Sequence, residues 1–332
     1  MPVAMRDSPE FERIGALIDA VAAPSATEVE LGPGDDAAIL RVSGPETLIL
    51  STDLSVEHVH FRREWLTWES IGFRAIASAL SDLAAMAARP LGALVSLAVP
   101  PEMDRRTLDE LAHGMGECLR EHEAALLGGD LSRSPGPVVI DVTVVGAAVR
   151  PVRRSGALPG DEVWVTGRLG GAGAAAAAWG RGLEPDPLAR RAFERPRPRL
   201  KEARFLCQSA EVHALIDLSD GLASDAEQLA AASGMRLVLE ADRVPLHHTL
   251  EHWVMADVAL ALAAGGGEDY ELLAAVAPGT ADAAARALYR EFNVEFTRVG
   301  TVTDGAGVGW VGAGGESISP PASGFDHFEE GV

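Results

Sequence analysis

Short apolar runs bounded by glycine, proline and acidic turns alternate along this chain with longer stretches of helical period. Leu48-Ile49-Leu50-Ser51-Thr52 reads as a strand, Trp65 to Ala88 as a helix stopped by Pro90, and Leu91 to Val99 as a second strand. A helix over Met103 to His122 follows, then strands at Ala124–Leu127 and Val138–Val149. The segment RPVRRSGALPGD, rich in proline, glycine and arginine, breaks the pattern, and a new strand begins in DEVWVTG. Beyond it the spacing predicts helices from Gly171, over Leu200 to Ser209, Asp220 to Ala232, Ala256 to Ala264 and Thr280 to Phe292. Strands are predicted at His213 to Leu218, Arg236 to Glu240, Tyr270 to Val276 and Thr297 to Val302, and the tail GESISPPASGFDHFEEGV as an extended closing segment. The expected architecture is mixed α/β in two units, residues 1–150 and 151–332.

A length of 332 residues with 47% hydrophobic positions supports two cores. No run approaches the ~20 apolar residues of a membrane span, and the start MPVAMRDSPEFERIG has no apolar leader, so a cytoplasmic protein without a membrane partner is expected. Cys118 and Cys207 form neither a disulfide framework nor a metal pattern and read as ordinary thiols on helices. With 49 acidic against 28 basic residues, the net charge of −21 repels a polyanion, and nucleic acid is not an expected partner. Lysine is nearly absent: Lys201, in PRPRLKEARF, lies away from any glycine-rich turn. That excludes the P-loop enzymes and the protein kinases, which neutralise phosphate with a lysine. Phosphate bound here would need metal ions and arginine.

Carboxylates recur where they are hardest to explain as solubility. GPGDD, Gly32 to Asp36, puts two aspartates after a glycine-proline turn, and in an extended chain adjacent side chains face opposite ways. It reads as a surface turn or as one edge of a site. Ser51-Thr52-Asp53 ends an apolar strand with hard oxygen donors suited to Mg²⁺, or closes it as a simple turn. Asp82 has Ser78, Ala79, Ala85 and Met86 as helical neighbours, a small apolar face on which a carboxylate is costly unless a cation or hydrogen bonds meet it. Gly128-Gly129-Asp130 follows a strand end, the position where α/β proteins place ligands. Arg154 in the linker can reach a phosphate or lie exposed. In Ile216-Asp217-Leu218-Ser219-Asp220-Gly221, capping of the next helix explains Ser219 or Asp220 but not Asp217. Gly265-Gly266-Gly267-Glu268-Asp269-Tyr270-Glu271-Leu272 repeats the plan of glycine turn, acids and apolar strand. His58 and His60 in HVHF lack a third soft ligand, so a substrate contact or a surface position fits them better than zinc.

Taken in order, GPGDD, STD with HF, SDLAAMAARP, GGD, RRSGALPGD with WVTG, RPRPR, IDLSDGLASD and GGEDYELL resemble the thiamine-monophosphate kinase family, from about Gly32 to Phe328. That family shares a superfamily with aminoimidazole ribonucleotide synthetase and selenophosphate synthetase. The resemblance implies an α/β (α+β) two-domain fold of mixed sheets covered by helices, with N-terminal domains pairing in a homodimer. It implies transfer of the ATP γ-phosphoryl group to thiamine monophosphate with several Mg²⁺ ions. Carried over by position, the metal ligands would be Asp36, Ser51, Thr52, Asp53, Asp82, Asp130, Asp217 and Asp220, with Asp53, Asp130, Asp217 and Asp220 central to catalysis. ATP would meet Gly129, Asp130, Arg154 and Ser219, and thiamine phosphate would meet His60, Glu268 and Phe325. In place of the family's usual LAAMGA the chain has LAAMAA; Ala87 is expected inside the helix, where alanine does no harm. Selenophosphate synthetase is disfavoured because no cysteine precedes Cys118, and a catalytically silent scaffold because every acidic position is kept.

Overall fold

The computed structural model describes residues 29–31, 35–41, 44–251 and 255–322. Among them the chain builds two mixed sheets in succession. The first contains β1 (Val29–Leu31), β2 (Ala38–Arg41), β3 (Thr47–Val56), β4 (Arg89–Val99), β5 (Ala125–Arg133) and β6 (Val139–Ala148), in the order β1-β2-β3-β6-β4-β5. Only β4 and β5 run parallel, joined through helices' worth of chain as a parallel pair requires. The second contains β7 (Glu162–Thr166), β8 (Val212–Leu218), β9 (Arg236–Glu240), β10 (Glu271–Val276), β11 (Phe296–Thr303), β12 (Gly307–Val311) and β13 (Ser317–Ile318), in the order β13-β12-β9-β11-β7-β10-β8.

Between the sheets lies α1 (Trp68–Ala85), which starts where the Thr67 side chain accepts the Ser70 N–H. It packs on β3 and β6, on α2 (Arg105–Glu121), and, from the second half, on β8, α4 (Pro187–Glu194) and α5 (Leu200–Ser209). Being covered on all sides, it has almost no polar face, and most of its residues from Ser70 to Ala85 are buried. Outside it, Trp65 stacks on Trp179 of α3 (Gly171–Gly180) at 5.3 Å between ring centroids, and Phe193 meets Trp179 edge-on. Helices α6 (Leu222–Ser233), α7 (Ala256–Gly265) and α8 (Ala281–Phe292) complete the second unit.

Four features depart from the reading of the pattern. Helix α4 is absent from that reading although its signal is present: the Asp186 side chain caps the Leu188 N–H and Pro187 takes the first helical position. Strands β2 and β12 were too short or too glycine-rich to stand out. Strand β5 runs to Arg133, well past Leu127. The fourth is Ala87, which is not in the helix interior. Helix α1 ends at Ala85, and Ala87 sits beyond the cap with φ of +51°. The Ala88 N–H reaches Leu83 O and the Ala87 N–H reaches Ala84 O, a Schellman ending whose left-handed position normally holds glycine, as Gly234 does after α6. A left-handed alanine costs roughly 1–2 kcal/mol, partly offset by the extra freedom glycine has when unfolded. Ala87→Gly should therefore stabilise the fold by up to about 1 kcal/mol; denaturant melts showing a loss would mean that burial of the alanine methyl outweighs the strain.

Candidate active site

Three carboxylates converge at the meeting of the two units. Asp36 enters from the segment before β2, Asp82 from the last turns of α1, and Asp217 from the end of β8, and their ligating oxygens all lie within 4.8 Å of one another. Each has a fixed partner. Ser51 Oγ on β3 donates to Asp82 Oδ2, Ser81 Oγ donates to Asp217 Oδ2 at 2.6 Å, and Arg154 grips Asp36 with two bonds, Nε at 2.8 Å and Nη2 at 2.6 Å. Asp35 is not a member of the trio and accepts the Arg154 backbone N–H at 3.2 Å, so both aspartates of GPGDD bind the linker arginine, which uses different atoms for each.

Like charges this close cannot all ionise without a cation. Burial, and then the charge of Asp36, pushes Asp217 up to about 8. Burial, with Asp217 and Asp36 beside it, holds Asp82 well above the usual carboxylate range, and burial with Asp36 pushes Asp35 to about 6. Four charge-favouring donors soften this repulsion but do not remove it.

The two glycine-acid motifs of the second half are one structure. Strands β8 and β10 are antiparallel neighbours with Asp217 opposite Leu272, so the loop after β8 and the loop before β10 lie side by side. Glu268 and Tyr270 donate backbone N–H groups to Ser219 and Leu218 carbonyls. Gly267, at φ of +63°, allows this approach: a Cβ there would stand 2.8 Å from Ser219 O. Asp225, in the first turn of α6, accepts the N–H groups of Asp220 and Gly221 and so shapes the loop that carries Asp220. Its carboxyl is held well above its ordinary value by burial and by Asp220 and Asp217. Asp269 accepts the Gly170 N–H at the start of α3, a structural task that separates it from its neighbour Glu268.

A second group lies beside the trio. On β3, Asp53 shares the face of Ser51; burial raises its carboxyl, Ser78 supports its charge, and Glu268 and His60 act on it electrostatically. His60 Nδ1 accepts the Val56 N–H at 3.0 Å. Arg74, the basic residue inside apolar α1, donates from Nη2 to Glu268 Oε2 at 2.7 Å, and Tyr270 Oη donates to the same oxygen at 3.0 Å.

The register sends other expected ligands elsewhere. Thr52 points to the opposite face from Ser51 and Asp53, where its hydroxyl meets Asp141 Oδ1 at 3.1 Å and Thr143. Asp130 pairs with Ser96, which pairs with Asp141, so Asp130 shares the face of Thr52 on the fully exposed edge strand β5, together with its neighbour Gly129 on that strand. Asp130 does not join the trio. Phe325 lies outside the described residues. Among the described residues no histidine belongs to a metal-ligand group. Arg74, Asp225, Ser78 and Ser81 were not singled out from the sequence. Arg74 had a usable signal, the one basic residue in a mostly apolar helix, and Asp225 was the last letter of IDLSDGLASD.

The chain matches the AIR synthase related protein, N-terminal domain over residues 34–148 and the AIR synthase related protein, C-terminal domain over residues 159–311. It is 36% identical to the thiamine-monophosphate kinase of Rhodopirellula baltica, over 85% of this chain and 86% of that one. With the thiamine-monophosphate kinase of Escherichia coli K12 it shares 33% identity over 96% of this chain and 98% of the relative. Among solved structures, AaThiL complexed with AMPPCP and TMP superposes with a TM-score of 0.80 at 28% identity, covering 96% of this chain and 97% of that chain. The thiamine-monophosphate kinase of Stenotrophomonas maltophilia superposes with a TM-score of 0.76 at 33% identity, covering 95% and 98%.

Proposed function

The chain belongs to the thiamine-monophosphate kinase family, and from that premise we propose that it transfers the γ-phosphoryl group of ATP to thiamine monophosphate, giving thiamine diphosphate and ADP, on a Mg²⁺ site built around Asp36, Asp82 and Asp217. The observation that carries the site is the apposition of these three carboxylates, with burial and mutual repulsion holding Asp82 and Asp217 above the ordinary carboxylate range and the Ser51 and Ser81 hydroxyls beside them. That donor set fits a hard divalent cation: oxygens on one octahedral Mg²⁺ lie about 3–4 Å apart, close to the spacing here. When bound, Mg²⁺ would supply charge neutralisation for phosphate oxygens and polarise the transferred group.

The remaining work falls to the protein's own atoms. Asp36, Asp82 and Asp217 hold the cation site, and Ser51, Asp53 and Asp220 extend it with further oxygens. Among the described residues Arg154 keeps Nη1 and one hydrogen of Nη2 beyond its pair with Asp36, donors enough for a phosphate oxygen. Ser219, on the loop that Asp225 shapes at the start of α6, is proposed to contact the nucleotide. The acceptor is a phosphate monoester, largely ionised near neutral pH, so no strong general base is required of any side chain. His60, Glu268 and Phe325 are proposed to hold the organic part of the acceptor. Thr52 and Asp130, on the other face of the first sheet from the trio, are proposed as ligands of a further Mg²⁺, and Gly129 and Asp130 as ATP contacts.

That open face supports a homodimer. Leu54 and Leu94 share it at 48% and 41% exposure, and among the described residues β5 is an edge strand with Leu126, Leu127 and Leu131 uncovered. An uncovered apolar sheet edge is normally paired or hidden. Residues 1–150 would then carry the ATP, Mg²⁺ and dimer contacts and residues 151–332 complete the site, in a cytoplasmic enzyme drawing on cellular ATP. Coupled ADP-release assays with Mg²⁺ test the reading: release should depend on added thiamine monophosphate, and release at the same rate without it would overturn the acceptor.

A further inference from the structure

We propose that Arg74 is the positioning residue for acceptor binding, acting through Glu268 and through the turn that carries His60; this rests on the acceptor reading above. Arg74 is 7% exposed, and its guanidinium spends its donors on three separate segments. Nη1 donates to Phe193 O at 2.6 Å, Nη2 donates to Glu268 Oε2 at 2.7 Å, and Nη2 also reaches His60 O at 3.5 Å. The plane lies over the Phe193 ring, 3.9 Å from its centroid, so the arginine is clamped between α4 and the Glu268 loop.

The contact is unusual in direction. Arg74 belongs to the first unit, and Glu268 and Phe193 to the second, so one side chain ties the acceptor-side carboxylate to the helix that also carries Asp82. Glu268 itself needs holding, because its backbone sits at φ of +62° in a glycine loop. Arg74 and Tyr270 both bind Oε2, and among the described residues no hydrogen bond engages Oε1. The carboxylate is thus fixed by one oxygen and able to present the other. A carboxylate offered this way suits the cationic and amine-bearing organic part of thiamine phosphate. A lysine at position 74 would keep the charge but lose the planar fork that reaches three segments at once.

The test is steady-state kinetics on Arg74→Gln, Arg74→Lys, Glu268→Gln and the double variant Arg74→Gln/Glu268→Gln, with calorimetric titration of thiamine monophosphate and thermal melts. Arg74→Gln should raise KM for thiamine monophosphate about 10-fold or more, the scale of a charge-assisted bond, and leave KM for ATP unchanged. Arg74→Lys should recover part of that loss. In the double variant the two losses should be strongly non-additive, since Arg74 acts through Glu268. Equal rises in both KM values, full additivity, or unchanged acceptor affinity would each overturn the role. Should Arg74→Gln not fold, Arg74→Lys alone decides by whether acceptor and ATP affinities part. A wild-type enzyme that ignores thiamine monophosphate would instead sink the acceptor reading itself.

Discussion

Asp217→Asn should lower turnover on the order of 10²–10³-fold and, at the same time, raise the thermal stability of the metal-free protein. Asparagine has nearly the shape of aspartate, and its amide can still meet Ser81 Oγ, which now bonds Asp217 at 2.6 Å. What disappears is one negative oxygen from a set packed within 4.8 Å. Without a cation, that oxygen is a burden, because Asp36 and Asp82 crowd it and burial denies it water. With a cation, it is a ligand. The same substitution therefore stabilises one state and disables the other. Thermal melts with and without Mg²⁺, beside ADP-release rates, separate the two effects. Near-normal turnover would remove Asp217 from the metal site, and a metal-free protein that melts lower would show that its role is packing.

Exhaustive chelation should abolish turnover, and Mg²⁺ added back should restore it and stabilise the fold by about 2.7 kcal/mol at a hundredfold excess over its dissociation constant. The pH dependence follows from the same carboxylates. Asp217 has an ordinary value of 3.8 and is pushed up to about 8 in the fold. Between those values the folded chain holds a proton that the unfolded chain has lost. The stability that goes with that proton is complete below about pH 4 and fades as pH rises through about 8. The metal-free protein should thus melt at falling temperature up to about pH 8, and Mg²⁺, which displaces the proton, should flatten the curve. Melting temperatures across pH with chelator and with Mg²⁺ would check it; identical slopes in both would mean the cluster binds no cation.

Cys118 is buried in α2 and Cys207 half-buried in α5, and burial pushes both thiols up, Cys207 to about 12, so neither is primed as a nucleophile.

Much of this was readable from local pattern. Helix and strand periods are set by neighbours a few residues apart, so α1, β8, α6 and β10 stood out, as did the aspartates that interrupt or end them. The near absence of lysine meant that any phosphate bound here would have to be met by metal ions and arginine. Other choices depend on contacts between residues far apart in the chain. Which aspartate of the Asp35-Asp36 pair joins the trio was decided by where Arg154 lies across the linker. Ser51 and Asp53 face the helices and Thr52 does not because strand alternation gains meaning only when a sheet has a covered side. Asp130 ended on the open face through the register of β5 on β4. Ala87 fell two residues past a helix end that the alanine-rich sequence left undefined. Arg74 looked like a flaw in an apolar helix until the second unit placed Glu268 and Phe193 against it. Local spacing determined the elements and the kind of ligand; the docking of two units determined which oxygens meet, because only burial on both sides makes a charge costly enough to demand a partner.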